Sequence, residues 1–170
     1  DKIFPKKNSF IDSKHNLESI SNFVGKIKAG KDTQLNNDFI IVARTESLIA
    51  GLGIHHALER ASAYADAGAD AILVHSKANN FDEIQEFMKV WNRKEPIIIV
   101  PTTYSSTPVE NFIKSGISTV IWANHNLRAC VNAMQEVSQK IFRDKMTGNL
   151  SSKICSVRKI FELTNMFELV

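Results

Sequence analysis

Cysteine is scarce in this 170-residue chain: Cys130 and Cys155 are the only two, and neither forms a CxxC pair or stands near a histidine cluster. That excludes a disulfide framework and a zinc site of ordinary spacing. Both are expected to be packing residues, the usual role of a free cysteine. No run approaches the roughly 20 apolar residues that span a bilayer, and the opening segment DKIFPKKNS lacks the apolar centre of a signal peptide. The expectation is a cytoplasmic protein without a membrane partner. Charge of one sign is not concentrated either. The 21 basic and 18 acidic residues are spread along the chain, which argues against a nucleic-acid partner. Repeat arrays, low-complexity tracts and sustained heptads are missing, as are the GxGxxG and GxxxxGKS loops of nucleotide-binding sheets.

What remains is alternation. Leu17, Ile20, Phe23, Val24 and Ile27 repeat at helical spacing over 16–29, and Gly30 stands where that helix should stop. FIIVAR at 39–44 reads as a buried strand, followed by a helix over 55–67 ending before Gly68 and a second strand, AILVH, at 71–75. Asn80 and Glu83 suggest a capping box for a helix carrying Phe81, Ile84, Phe87, Met88 and Trp91. A third strand, PIIIVP, follows at 96–101. Thr107, Pro108 and Glu110 supply N-cap, N1 and N3 signals for a helix ending near Gly116, and STVIWA at 118–123 is the fourth strand.

A long helix over 126–144 places Leu127, Cys130, Val131, Met134, Val137 and Ile141 on one stripe, the pattern of a face to be buried, and a last helix is expected over 153–164. Continuous apolar strands separated by amphipathic helices define βα units and a parallel sheet. Pattern alone leaves two architectures open, a (β/α)8 barrel and an open doubly wound sheet.

In both, chemistry sits beyond the C-terminal ends of the strands. The residues there are polar: Arg44, Thr45 and Glu46; His75, Ser76 and Lys77; Thr102, Thr103 and Tyr104; Asn124, His125 and Asn126. Arg44 is the most readable, because a guanidinium offers a planar fork of donors matched to carboxylate or phosphate oxygens. The bland alternative is an ion pair with Glu46 or another rim carboxylate. His75 either donates to a substrate oxygen or caps a layer of the barrel. DKIFPKKNS, with three lysines and no periodicity, reads as a basic loop that either closes over an anion or is a solvated tail.

DKIFPKKNS resembles the EDKxFPKxNS gating loop of the phosphoenolpyruvate mutase and phosphonopyruvate hydrolase family, in the isocitrate lyase superfamily. The resemblance continues in order through IVARTESLIAG, ALERASAYADAGADAILVHSK, FMKVWN, IIIVPTTY and VIWANHNLRA. It implies a (β/α)8 TIM-type barrel of which this chain covers about strands 5 to 8 and their helices. Residues 1–170 are then the C-terminal half of one barrel domain, with 1–14 the gating loop, 15–145 the βα units and 146–170 a C-terminal helical segment.

It further implies a Mg2+-dependent interconversion of phosphoenolpyruvate and phosphonopyruvate. Lys6 and Asn8 reach the phosphoryl group with Ser9 beside them, Arg44 holds that group, and His75 contacts the substrate. Glu46 is a second-shell candidate for a metal whose ligands are expected before Asp1. A homo-oligomer exchanging its eighth helix is implied as well, and a four-strand segment alone should be inactive.

Three alternatives stand beside the mutase. A hydrolase would use nearly the same residues with water as the acceptor, although Asn8 in the lid favours the mutase. A carbon–carbon lyase would carry a KKCGH-type loop with a catalytic cysteine, and both cysteines here lie far from the loop. A non-catalytic half-barrel that binds an anion or a partner is the third.

Overall fold

The computed structural model describes residues 1–168; Leu169 and Val170, the end of the expected C-terminal helical segment, lie outside the described residues. The chain divides into two compact units, Asp1–Ala123 and Asn124–Val170.

In the first unit four βα steps follow one another: α1 (Ile20–Asp32), β1 (Val42–Thr45), α2 (Gly53–Asp66), β2 (Ala71–Val74), α3 (Asp82–Val90), β3 (Ile97–Ile99), α4 (Val109–Lys114) and β4 (Thr119–Val120). The strands form one parallel sheet in the order β1-β2-β3-β4. The expected order of elements is therefore present, with shifted boundaries. Ser19 caps α1 by accepting the Asn22 N–H, and the helix runs through Gly30 to Asp32. Gly30 does not end it. A Cβ there would fall 2.8 Å from Ile41 Cδ1, so the glycine permits a close approach between helix and chain. Phe39 and Ile40 are exposed and precede the sheet.

The expected capping box on α3 does not form. Asn80 Oδ1 accepts the Asp82 N–H, while the Glu83 carboxylate accepts from Ser76 Oγ instead of reaching back to the helix start. In α4 the cap falls one residue later than expected, on Pro108, and the chain leaves the helix through Gly116 at φ 80°.

Register explains why the strands read as continuously apolar. Ala43, Ile72 and Ile97 are paired across the sheet and belong to the core under the helices, with Val74 and Ile99 beyond them. Side chains alternate along a strand. The opposite face therefore carries Arg44, Leu73 and Ile98, in the same register. The helical layer is closed by Tyr64, Phe87, Phe112 and Tyr104, all fully buried.

The second unit holds α5 (His125–Asp144), a 3-10 turn at Gly148–Leu150, and α6 (Val157–Leu163). Here the burial expectation fails. Neither helix has a buried residue, and Leu127, Val131, Met134 and Ile141 on the α5 stripe are exposed. Cys130 and Cys155 are exposed as well, not packed. Periodicity identifies an apolar face correctly but does not say what covers it, and no described element of this unit does. No helix among the described residues is long and apolar enough to cross a membrane.

Candidate active site

The candidate residues gather where β1 and β2 end. Arg44 lies in β1, Glu46 follows it two residues on and so shares its face, and His75 directly follows β2. The pairing of Thr45 with Val74 sets Glu46 and His75 side by side one step further along.

Glu46 is the centre of the cluster, with only 1% of its surface exposed. Its Oε1 accepts from Arg44 Nε and lies 3.1 Å from His75 Nδ1. Its Oε2 accepts from Ser9 Oγ at 2.6 Å and pairs with Lys2 Nζ at 3.2 Å. Burial by itself would push this carboxyl up. Hydrogen bonds from His75 and Ser9, and the Arg44 charge, outweigh burial and hold it well below the usual carboxylate range.

His75 Nδ1 has two mutually exclusive partners. A guanidinium can only donate, so at 2.7 Å from Arg44 Nη2 the nitrogen accepts and the ring proton sits on Nε2. With the proton on Nδ1 instead, the ring donates to Glu46 Oε1. Phe10 meets the imidazole edge-on at a centroid distance of 5.5 Å.

The basic loop arches over this cluster. Lys6, Asn8, Ser9 and Arg44, four residues singled out in the sequence, line one cavity of about 470 Å3 together with Asp1, Lys2, Lys7 and Glu46. His75 is not in the lining; it is buried behind Arg44. Asn8 also shapes the loop, its Oδ1 accepting the Phe10 N–H at 2.9 Å. Asp1 and Glu46 are neutralised by Arg60 and by Arg44 and Lys2, whereas Lys6 and Lys7 have no ion pair among the described residues. The cavity thus keeps a surplus of positive charge.

The anchor of the loop escaped the sequence reading. Asp1 Oδ2 accepts from Tyr64 OH at 2.6 Å and from Arg60 Nη1 at 3.1 Å, while Oδ1 accepts the Glu46 N–H at 2.9 Å. Arg60 also donates to the Glu18 carbonyl at 2.8 Å. The available signal was an arginine and a tyrosine four residues apart on the same helical stripe as Ala57 and Ala61, where a lone charge needs a partner.

Of the other strand-end candidates in the first unit, Ser76, Lys77, Thr102, Thr103 and Tyr104 do not line this cavity. Tyr104 packs against Phe81 and Phe112 at 6.0 and 6.2 Å, and burial pushes its phenol up. Asn124, His125 and Asn126 open the second unit. Among the described residues no group of three His, Cys, Asp or Glu side chains could hold a metal ion.

Parallel βα units in sequential strand order, with an arginine-centred, cationic cavity at their strand ends, are the pattern of a βα-barrel protein. The phosphoenolpyruvate phosphomutase family model matches residues 1–142, and the chain belongs to that family. It is 52% identical over 170 residues to a phosphoenolpyruvate phosphomutase of Tetrahymena pyriformis, covering 99% of this chain and 57% of the relative. The solved phosphoenolpyruvate phosphomutase of Streptomyces platensis subsp. rosaceus superposes with a TM-score of 0.97 at 39% identity, over 99% of this chain and 59% of that one. A phosphonopyruvate hydrolase solved in complex with oxalate and Mg++ superposes at 0.88 with 40% identity, over 99% and 58%. The chain therefore spans a little over half the length of the relatives it matches, and its four strands are about half of a (β/α)8 barrel.

Proposed function

We propose that the complete protein is a Mg2+-dependent phosphoenolpyruvate mutase, converting phosphonopyruvate and phosphoenolpyruvate into one another. The carrying observation is the shared cavity: Lys6, Asn8, Ser9 and Arg44 converge on one volume at the strand ends. In the forward direction of phosphonate synthesis the bond between phosphorus and the enol oxygen breaks, and a bond from phosphorus to the methylene carbon forms. A loose, metaphosphate-like transition state spreads negative charge over three equatorial oxygens, so positioning and electrostatic stabilisation do most of the work.

Arg44 and Lys6 grip those oxygens, Asn8 donates an amide hydrogen to them, and Ser9 holds the loop beside them. His75, expected to contact the substrate, directly follows β2 and lies buried behind Arg44, so in this arrangement it acts on the anion through the guanidinium it holds. Residues 1–14 act as the lid, 15–145 as βα units and 146–170 as a C-terminal helical segment of one barrel domain. Loop closure excludes water, which would otherwise take the phosphoryl group.

Mg2+ enters as the cofactor of the complete enzyme, supported by the hydrolase relative solved with it. The described residues of this chain supply no ligand set for the ion, and both Glu46 oxygens are occupied by Arg44, His75, Ser9 and Lys2. No step assigned to this chain runs through the metal. The uncovered apolar stripe of α5 supports a homo-oligomer in which that region is exchanged between subunits. A cytoplasmic location goes with this reading.

A hydrolase is the second reading, favoured by the likeness to the solved hydrolase. Phosphorus NMR of the complete protein with phosphonopyruvate and Mg2+ separates the two. Phosphoenolpyruvate as the product supports the mutase; inorganic phosphate with pyruvate establishes the hydrolase, and an unchanged phosphonate overturns both.

A further inference from the structure

We propose that Glu46 is a positioning residue, a clasp that ties the loop to the strand ends so that closing the loop and orienting Arg44 and His75 become one event. The inference deepens the reading of residues 1–14 as a lid, and it rests on how the carboxylate divides its two oxygens. Oε2 serves the loop, through Ser9 Oγ and Lys2 Nζ. Oε1 serves the strand ends, through Arg44 Nε and, when the ring proton is on Nδ1, through His75. A carboxylate this deeply buried depends on its full set of partners. Losing the loop's contribution therefore changes the pull on the other two side chains.

The side chains that hold the loop are of two characters. Asp1 is locked by a buried ion pair to Arg60 and by Tyr64, a fixed anchor. Ser9 is held only by hydrogen bonds. Its hydroxyl gives its one proton to Glu46 and receives Lys2 Nζ at 2.8 Å and Arg44 Nη2 at 3.2 Å. Between Asp1 and Ser9, residues 3–8 are exposed. Between them Ile3 N–H donates to the Asn16 carbonyl at 3.1 Å and Lys2 Nζ to the Lys7 carbonyl at 2.6 Å, so the segment beyond Ile3 opens at its far tie, which is Ser9.

The clasp also fixes what Arg44 can offer. Of the five N–H bonds of a guanidinium, Nε–H goes to Glu46 and one Nη2 hydrogen to Ser9, while the other Nη2 hydrogen goes to His75 when the ring proton is on Nε2. Nη1 has no partner among the described residues, and its two N–H bonds remain for an anion in the cavity. With Ser9 withdrawn, one Nη2 hydrogen is released and the fork is no longer held on three sides.

The test uses the complete protein and variants Ser9→Ala, Glu46→Gln and the two combined. Trypsin cleavage after Lys6 and Lys7 reads loop opening, the urea midpoint reads global stability, and kcat and KM are measured with phosphonopyruvate. Ser9→Ala should speed cleavage about tenfold or more, the factor expected for one hydrogen bond to a charged group, with an unchanged urea midpoint. Its kcat should fall more than its KM rises. Adding Glu46→Gln to Ser9→Ala should speed cleavage by clearly less than the product of the two single effects, because only the Lys2 tie to Oε2 is left to lose.

Wild-type cleavage rates in Ser9→Ala, or a double variant whose effect is the product of the single ones, overturn the clasp. Ser9→Ala carries the comparison alone if Glu46→Gln folds poorly. Faster loop cleavage in a protein that never turns over phosphonopyruvate upholds the clasp and overturns the mutase reading instead.

Discussion

Replacing Arg60 by Met tests the anchor of the loop, because it removes a charge while keeping most of the side-chain volume. The Asp1 carboxylate has no exposed surface, and the Arg60 side chain is 7% exposed. Without Arg60, Asp1 keeps the Tyr64 hydroxyl and the Glu46 N–H but has no counter-charge. Breaking a buried ion pair from one side costs about 3–5 kcal/mol. The two surviving donors put this case at the lower end, about 3 kcal/mol.

With a urea m-value of about 3 kcal/mol/M for a protein of this size, the midpoint should fall by about 1 M. Urea titration followed by circular dichroism reads the shift directly. Adding Asp1→Ala should recover part of the loss, since the cost comes from an unpaired buried charge and not from missing volume. An Arg60→Met midpoint within about 0.2 M of wild type would refute the argument.

Two further outcomes follow from the same geometry. The Glu46 carboxyl is depressed in the folded chain, so its contribution is complete above the unfolded value near 4.5 and is lost as pH falls through the lower folded value. Urea midpoints of the wild type should drop as pH is lowered from about 5, and those of Glu46→Gln should drop less; parallel acid limbs would sink this assignment. Gly68 leaves α2 at φ 98°, in left-handed space, and a Cβ would meet Lys31 Cγ at 3.3 Å. Gly68→Ala should therefore cost about 1–2 kcal/mol in the same titration, and a gain in stability would contradict the strain argument.

Much of the fold was legible because each βα unit announces itself by a change of period. The strands were harder to bound. FIIV is a continuous apolar run, yet only Val42 onward pairs, because hydrophobicity does not encode where a hydrogen-bonded ladder begins. The glycine at 30 illustrates the same limit: helix stop and close packing demand the same residue, and only Ile41 decides between them.

At the site, the strand-end position of Arg44 was readable, and the expected alternative, a pair with Glu46, is present while the side chain still lines the cavity. The Arg44 side chain is 41% exposed, engaging Glu46 through Nε while lining the cavity. Asp1 with Arg60 was not readable, since the partners are 59 residues apart and meet only once α2 packs beneath the loop. The same holds for Glu46 as a hub: its neighbours come from three separate segments.

Whether Arg44 grips the transferring phosphoryl group beneath the loop is read from steady-state turnover of phosphonopyruvate by Arg44→Ala in the complete protein. Loss of donors aimed at developing negative charge costs about a hundredfold or more in kcat. Arg44→Ala should show at least that fall with an intact fold by circular dichroism, and near-normal turnover by the variant would remove Arg44 from the mechanism.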